Sequence, residues 1–331
     1  MTEIVCGKNI MSDVKAALEG CAFTVTDNNI AALYPEFAAD AFVIKAGESS
    51  KTPDTLLSIL DEMSRRGLRR SDRIAALGGG VVGDITGFAA AVYMRGIKWT
   101  SIPTSLLAMV DSGIGGKTAV DFNGVKNLIG AFHEPTKAVV CTEFLTTLPD
   151  REWKCGTGEL IKTCLLSEKA YCLLKNSLSG LLEKDKDCVY SLVEECLKIK
   201  SDVVNKDPKE NGLRKILNIG HTVGHALESL DGYKLSHGEY VLKGMMTEFA
   251  MCKDSIDKKF LGEIMPVLKM FAVPPKTTAK AVCEKARSDK KNKDERIALV
   301  IPVSPSDTKE VYLTASQFTE CYERAVKELK S

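Results

Sequence analysis

Four short apolar, β-rich runs alternate with amphipathic stretches over the first 150 residues, and this alternation restricts the fold more than any other feature. The runs are FVIKAG from Phe42, RIAALGGG from Arg73, KWTSIPT from Lys98 and KAVVCTE from Lys137. Between the first two, Thr52 to Leu68 carries helical spacing in Leu56, Leu57, Leu60 and Met63. Pro53 suits a first helical turn there, and Gly67 lies near the end. Strand–helix–strand order predicts a mainly parallel sheet covered by helices.

After Leu148-Pro149-Asp150 the texture changes. Apolar residues recur at three and four from Trp153 to Leu182, again from Val189 to Val204, and from Val241 to Phe271. Strand-like runs almost vanish until ERIALVIPV near the end. The expected architecture is an α/β N-terminal domain over residues 1–149, Rossmann-like with a mainly parallel sheet, and an all-α C-terminal domain over residues 150–331. Two domains also suit a chain of 331 residues. The N-terminus is short before TDNNI, so a trimmed edge strand is expected. SDKKNKDER (Ser288 to Arg296) reads as an exposed loop. No internal repeat and no low-complexity tract is present.

Forty-five basic against forty-four acidic side chains leave almost no net charge. That excludes nucleic acid or anionic membrane as a general partner and leaves any basic cluster local, aimed at a small anion. The first residues lack the basic and apolar regions of a signal peptide, and no apolar run approaches the roughly 20 residues that span a bilayer. Eleven cysteines without a CxxC pair read as thiols in a reducing cytoplasm rather than a disulfide framework or a zinc ribbon.

LGGGVVGDITGF follows a predicted strand and opens a predicted helix. Gly78, Gly80 and Gly83 spell GxGxxG, a turn that lets backbone N–H groups and a helix N-terminus approach a pyrophosphate. No acidic residue falls between Asp84 and Asp111, so the usual ribose partner about 20 positions on is missing. A nucleotide site unlike the standard one is expected, against the plainer reading of a tight strand-to-helix turn. Downstream, Thr104, Ser105, Asp111, Gly115, Gly116, Lys117, Lys126 and Asn127 crowd one stretch, which reads as a ligand-lining loop.

Only four histidines occur, and three of them lie within seventeen residues: His221 and His225 in NIGHTVGHALE, and His237 in KLSHGEY. Histidines at i and i+4 share a helix face and can hold one metal. GELIK adds Glu159 on an earlier helix, so a site of two histidines and one carboxylate with an open position is chemically sensible. Spacing does not say which two histidines are ligands.

LGGGVVGDITGF, YMRG, PTSLLAMVDSGIGGKT, VKNLIGAF, GELIK, LRKILNIGHTVGHALE and HGEYVLKGM together resemble the signature segments of 3-dehydroquinate synthase, a sugar phosphate cyclase family. They occur in that family's order and cover essentially the whole chain. Three positions depart from the pattern: Gly158 stands where alanine is usual, Gly113 where serine is usual, and Val125 where glycine is common.

The resemblance implies an NAD-binding N-terminal domain, a helical metal-binding C-terminal domain, and one divalent metal, zinc with cobalt as the alternative. It assigns the metal to Glu159, His221 and His237, with His225 beside it as a substrate-phosphate contact. For NAD it implies Asp27, Asn29, Glu48, Lys51, Gly79, Gly80, Asp84, Thr104, Ser105, Leu107, Asp111, Lys117, Lys126, Thr147 and Leu148. For catalysis and substrate binding it implies Arg95, Asp111, Lys117, Lys126, Asn127, Lys162, Lys200, Glu210, Arg214, Asn218 and His225. Lys200 and Arg214 are expected to meet a carboxylate, arginine's planar fork suiting two parallel bonds.

The family reaction turns 3-deoxy-D-arabino-heptulosonate 7-phosphate into 3-dehydroquinate and phosphate, in the shikimate route. It runs through transient oxidation by NAD, β-elimination of phosphate, re-reduction and an intramolecular aldol closure. The resemblance thus implies a cytoplasmic phosphate lyase, a homodimer, whose partner is a small anionic sugar phosphate. Rival readings are a 2-deoxy-scyllo-inosose synthase-like cyclase, a glycerol-dehydrogenase-like polyol dehydrogenase, and an NAD-binding scaffold without activity.

Overall fold

A computed structural model describes residues 1–210, 212–287 and 296–331, and the chain divides into two compact units. The first comprises Met1–Trp153 with Ser179–Lys209, the second Lys154–Leu178 with Glu210–Ser331. Most of the predicted loop SDKKNKDER lies outside the described residues.

The strands of the first unit are β1 (Glu3–Gly7), β2 (Phe23–Asp27), β3 (Phe42–Ile44), β4 (Arg73–Gly78), β5 (Lys98–Pro103), β6 (Lys117–Phe122), β7 (Val125–Phe132) and β8 (Lys137–Cys141). Six of them form one parallel sheet in the order β1-β8-β5-β4-β2-β3. All four strands read from the sequence are in it. In β4, Ile74, Ala75, Ala76 and Leu77 are each no more than 2% exposed, as a central strand covered on both faces requires. The short N-terminus still supplies an edge strand, β1, which pairs with β8 from Glu3↔Lys137 to Gly7↔Cys141.

The predicted helix after β3 is α1 (Pro53–Arg65). Thr52 caps it by accepting from Thr55 N, Pro53 sits in the first turn, and Gly67 follows its end at φ +68°. Its buried stripe is Leu56, Ile59 and Met63, while Leu57 is exposed. These residues pack with Ile74, Trp99 and with Val82, Ile85 and Phe88 of α2 (Gly80–Val92). Each such side chain contributes about 1.5–3 kcal/mol by leaving water.

The ligand-lining loop expected after β5 is not a loop throughout. Ala108–Ser112 forms a π-helical turn, and Lys117 to Phe132 folds into the antiparallel β6–β7 hairpin. Glycine and polar density masked the strands: nearly all of β7 is exposed, so no buried face marks its period.

The helical texture beyond Pro149 corresponds to α3 (Asp150–Cys164), α4 (Lys186–Lys206), α5 (His221–Leu230) and α6 (His237–Met251), with shorter helices between them. Of these, α4 belongs to the first unit. Among its described residues the second unit is helical apart from an antiparallel hairpin, Ile297–Ser304 with Asp307–Leu313, whose first strand is the ERIALVIPV run. Among the described residues no helix is long and apolar enough to cross a membrane.

Candidate metal centre and cofactor edge

Three helix segments of the second unit bring the histidine cluster together. Glu159 lies on α3 and is 1% exposed. His221 opens α5 after Gly220, and His237 opens α6, whose start is fixed by a capping box between Ser236 and Glu239. Glu159 Oε1 stands 3.3 Å from His221 Nε2 and 3.4 Å from His237 Nε2. The ring of His225 is centred 5.0 Å from that of His221 and 5.5 Å from that of His237. Ligand atoms of the three histidines all lie within 4.8 Å of one another.

The donor set fits a divalent metal. Zinc–ligand distances of roughly 2.0–2.2 Å in a tetrahedron place neighbouring ligand atoms about 3.4 Å apart. The Nδ1 atoms of the two histidines are engaged elsewhere, His221 with Ile219 O at 3.0 Å and His237 with Glu228 Oε2 at 3.1 Å. A donor held at Nδ1 leaves the Nε2 lone pair for a metal and fixes the ring plane. Lys162 Nζ, itself 1% exposed as a residue, lies 2.5 Å from Glu159 Oε2.

This crowding of charges moves the titrations. Burial opposes ionisation of Glu159, but Lys162 and His221 hold its carboxyl well below the usual range. Burial likewise disfavours a charged His237, yet its bonds to Glu159 and Glu228 lift it to about 10. His221 is held below its ordinary value by burial, with Glu159 pulling the other way.

Two acidic residues of this centre escaped sequence reasoning. Glu228 lies seven positions after His221 and holds His237. Glu248, fully buried on α6, accepts from Gly220 N at 3.1 Å and Val223 N at 2.8 Å, so it caps the helix that begins at His221. A glutamate inside the apolar run MMTEFAM is the signal that could have found it.

Around the same unit, Arg214 is 2% exposed on the turn Leu213–Asn218, and Asn218 donates to Glu210 Oε1 at 3.3 Å.

In the first unit, the positions named for NAD other than Lys117 and Lys126, which lie on the β6–β7 hairpin, sit at or after the C-terminal ends of the parallel strands, where open parallel sheets bind ligands. Asp27 ends β2 and Asn29 follows it, Glu48 and Lys51 follow β3, and Gly79, Gly80 and Asp84 follow β4. Thr104, Ser105, Leu107 and Asp111 follow β5, and Thr147 and Leu148 follow β8. Strand order reverses between β2 and β4, beside the glycine turn. The N-cap of α2, Gly79, makes no side-chain cap bond, and a helix N-terminus attracts an anion. A Cβ on Gly80 would stand 3.0 Å from Ser112 Oγ, a gap that a side chain would fill.

Several of these groups already have protein partners. Asp27 caps the Asn28–Leu33 helix through Asn29 N and Ile30 N. Lys51 Nζ meets Asp84 Oδ2 and Asn127 Oδ1, both at 2.5 Å. Lys200 Nζ, on α4, donates to Asp111 Oδ1 at 2.5 Å and also to its carbonyl. Thr147 Oγ1 meets Tyr34 OH at 3.1 Å. Lys117 and Lys126 are exposed on the hairpin, and Arg95 is exposed at φ +64°.

Residues 41–155 match the 3-dehydroquinate synthase N-terminal family and residues 156–292 the C-terminal family. A 3-dehydroquinate synthase of Pelobacter propionicus is 39% identical, over 92% of this chain and 89% of its own. Among solved structures, 2-epi-5-epi-valiolone synthase of Streptomyces hygroscopicus, with NAD+ and Zn2+ bound, superposes with a TM-score of 0.88 at 24% identity, over 99% of this chain and 97% of the other. A 2-deoxy-scyllo-inosose synthase complexed with carbaglucose-6-phosphate, NAD+ and Co2+ superposes at 0.80 with 21% identity, over 98% and 96%.

Proposed function

This chain belongs to the 3-dehydroquinate synthase family, and we propose that it converts 3-deoxy-D-arabino-heptulosonate 7-phosphate to 3-dehydroquinate and phosphate as a carbon–oxygen lyase of the shikimate route. The observation that carries the reading is the convergence of Glu159 with three histidines. The cyclases it resembles in fold carry NAD+ and Zn2+ or Co2+, which supports the same pair here. When bound, NAD+ accepts and returns a hydride, and the metal polarises the hydroxyl being oxidised.

The chain's own groups supply the rest. Glu159, His221 and His237 hold the metal, Glu228 and Ile219 O orient the two rings, and Glu248 fixes the helix start beneath them. His225 stands beside them for the substrate phosphate. The family resemblance names Arg95, Lys117, Lys126, Asn127, Lys162, Lys200, Arg214 and Asn218 as polar groups for the substrate. Each charge-assisted hydrogen bond to a doubly anionic substrate contributes roughly 1.5–3 kcal/mol. Gly79, Gly80 and the start of α2 take the pyrophosphate of NAD, with Asp84, Lys51, Asp27, Asn29, Glu48, Thr104, Ser105, Leu107, Asp111, Thr147 and Leu148 along the same strand ends. In this reading residues 1–149 bind NAD and residues 150–331 bind metal and substrate.

The enzyme acts in the cytoplasm as a homodimer. Phe122, Val125, Leu128, Ile129 and Phe132 of the β6–β7 hairpin are 38–55% exposed, an apolar patch suited to a second copy. Phe132→Ser should shift the sedimenting species toward monomer; an unchanged dimer removes this face from the interface. The activity itself is tested by supplying the heptulosonate phosphate, NAD+ and zinc and following phosphate and 3-dehydroquinate together.

A further inference from the structure

Arg73 and Lys98 open the central strands β4 and β5 and are register partners there. Adjacent strands lie about 4.8 Å apart, and partnered residues share a face, so two like charges are held side by side. Such a pair opposes the strand pairing unless something negative lies between them. Neither residue makes an ion pair among the described residues, and Arg73 Nε is buried without a hydrogen-bond partner.

The two side chains line a cavity of about 350 Å³ with Gly20, Ala22, Ser71 and Asp72. Small-molecule sites span about 300–1,000 Å³. Gly20 and Ala22 bring almost no side chain to fill the space. Asp72, the acid of the lining, is already engaged, accepting from Arg69 N at 2.7 Å and from Ser71 Oγ at 3.5 Å. The run RRGLRRSDR ends at Arg73; its Arg65 and Arg66 are paired with Glu62, whereas Arg69 and Arg70 have no acidic partner among the described residues. A chain of almost no net charge thus carries a locally positive concavity. It lies at the N-terminal ends of the parallel strands, the edge opposite the glycine turn that follows Gly78.

We propose that Arg73 and Lys98 form a further anion site, which takes the phosphate group of a small molecule. The guanidinium presents two parallel donors to two phosphate oxygens, and the ammonium adds a compact charge. A cleft lined by one sign of charge concentrates the opposite ion. A phosphate seated between the two cations replaces one repulsion by two attractions. None of the groups assigned to metal, NAD or substrate takes part, so the site does not rest on the catalytic reading.

The test is equilibrium dialysis of inorganic phosphate against the zinc- and NAD+-loaded protein, with ionic strength held constant by chloride. It compares the wild type with Lys98→Gln, Arg73→Gln and Lys186→Gln. Lys98 is exposed, so its variant keeps the core intact, and Lys186 is an exposed lysine of α4 in the same unit that does not line the cavity. One phosphate site per chain should weaken about tenfold or more in Lys98→Gln and in Arg73→Gln, the loss of a charge-assisted bond. Lys186→Gln should match the wild type. Phosphate should also raise the Tm of the wild type more than that of Lys98→Gln, since a ligand stabilises only the form that binds it. Glycerol 3-phosphate run in parallel identifies the source: tighter binding of the ester assigns the site to a phosphoester, tighter binding of phosphate to the free ion.

Equal phosphate isotherms in the wild type and Lys98→Gln would overturn the proposal and leave the two cations merely solvated. An equal loss in Lys186→Gln would overturn it too, because net charge alone would then explain the binding. Should Arg73→Gln fail to fold, Lys98→Gln carries the comparison by itself. A protein without cyclase activity that still loses the site in Lys98→Gln would sink the catalytic reading and leave this one standing.

Discussion

Lys51 Nζ lies 2.5 Å from Asp84 Oδ2, and the lysine side chain is only 4% exposed. Breaking such a pair from one side leaves a buried charge and costs roughly 3–5 kcal/mol, here toward the lower end because Asn127 still accepts from the lysine. Asp84→Ala should lower the stability of the first unit by about 3 kcal/mol and weaken NAD+ binding. Denaturant unfolding and a fluorescence titration with NAD+ check both. An unchanged affinity in folded protein would remove Asp84 from the cofactor site.

The same aspartate makes a pH dependence. Burial pushes its carboxyl up to about 6, with Lys51 pulling back. An acid whose folded value exceeds its unfolded value of about 3.9 favours folding most when protonated in both states. Its contribution is lost as pH rises from about 4 to about 6. Asp84→Asn should remove that falling component from a plot of Tm against pH, while the wild type retains it.

Metal uptake should release protons. His237 stays protonated in the metal-free protein up to about 10, and a metal binds only the neutral imidazole. Zinc affinity should therefore rise about tenfold per pH unit between pH 7 and 9. Metal content should fall sharply in His237→Ala and much less in His225→Ala. Equal losses in the two variants would restore His221 and His225 as the ligand pair.

Arg214→Ala tests substrate recognition. If Arg214 meets the substrate carboxylate, its loss should lower kcat/KM by roughly 1.5–3 kcal/mol, about 10- to 150-fold, with metal content unchanged. A wild-type kcat/KM would assign the buried guanidinium to structure alone.

Much of this was legible in the sequence because it rests on local period and chemistry. The Thr52-Pro53 start, the buried stripe of α1 and the glycine turn into α2 follow from spacing and backbone demands. The β6–β7 hairpin was hidden because a strand exposed on both faces carries no alternation. Periodicity also says that residues 189–204 are helical without saying what they pack on. The contact of Lys200 with Asp111 is a tertiary fact spanning 89 positions. In the metal centre the histidine cluster and Glu159 were readable from residue type. Glu228 and Glu248 were not, since their roles depend on how α5 meets α6.

Turnover chemistry tests the central claim most directly. Incubating the zinc-loaded protein with the heptulosonate phosphate and substoichiometric NAD+ should release phosphate and form 3-dehydroquinate in a one-to-one ratio, over many turnovers per NAD+, with no NADH absorbance accumulating because the cofactor is recycled within each cycle. Stoichiometric NADH without phosphate release, or equal cyclisation of glucose 6-phosphate, would contradict the account.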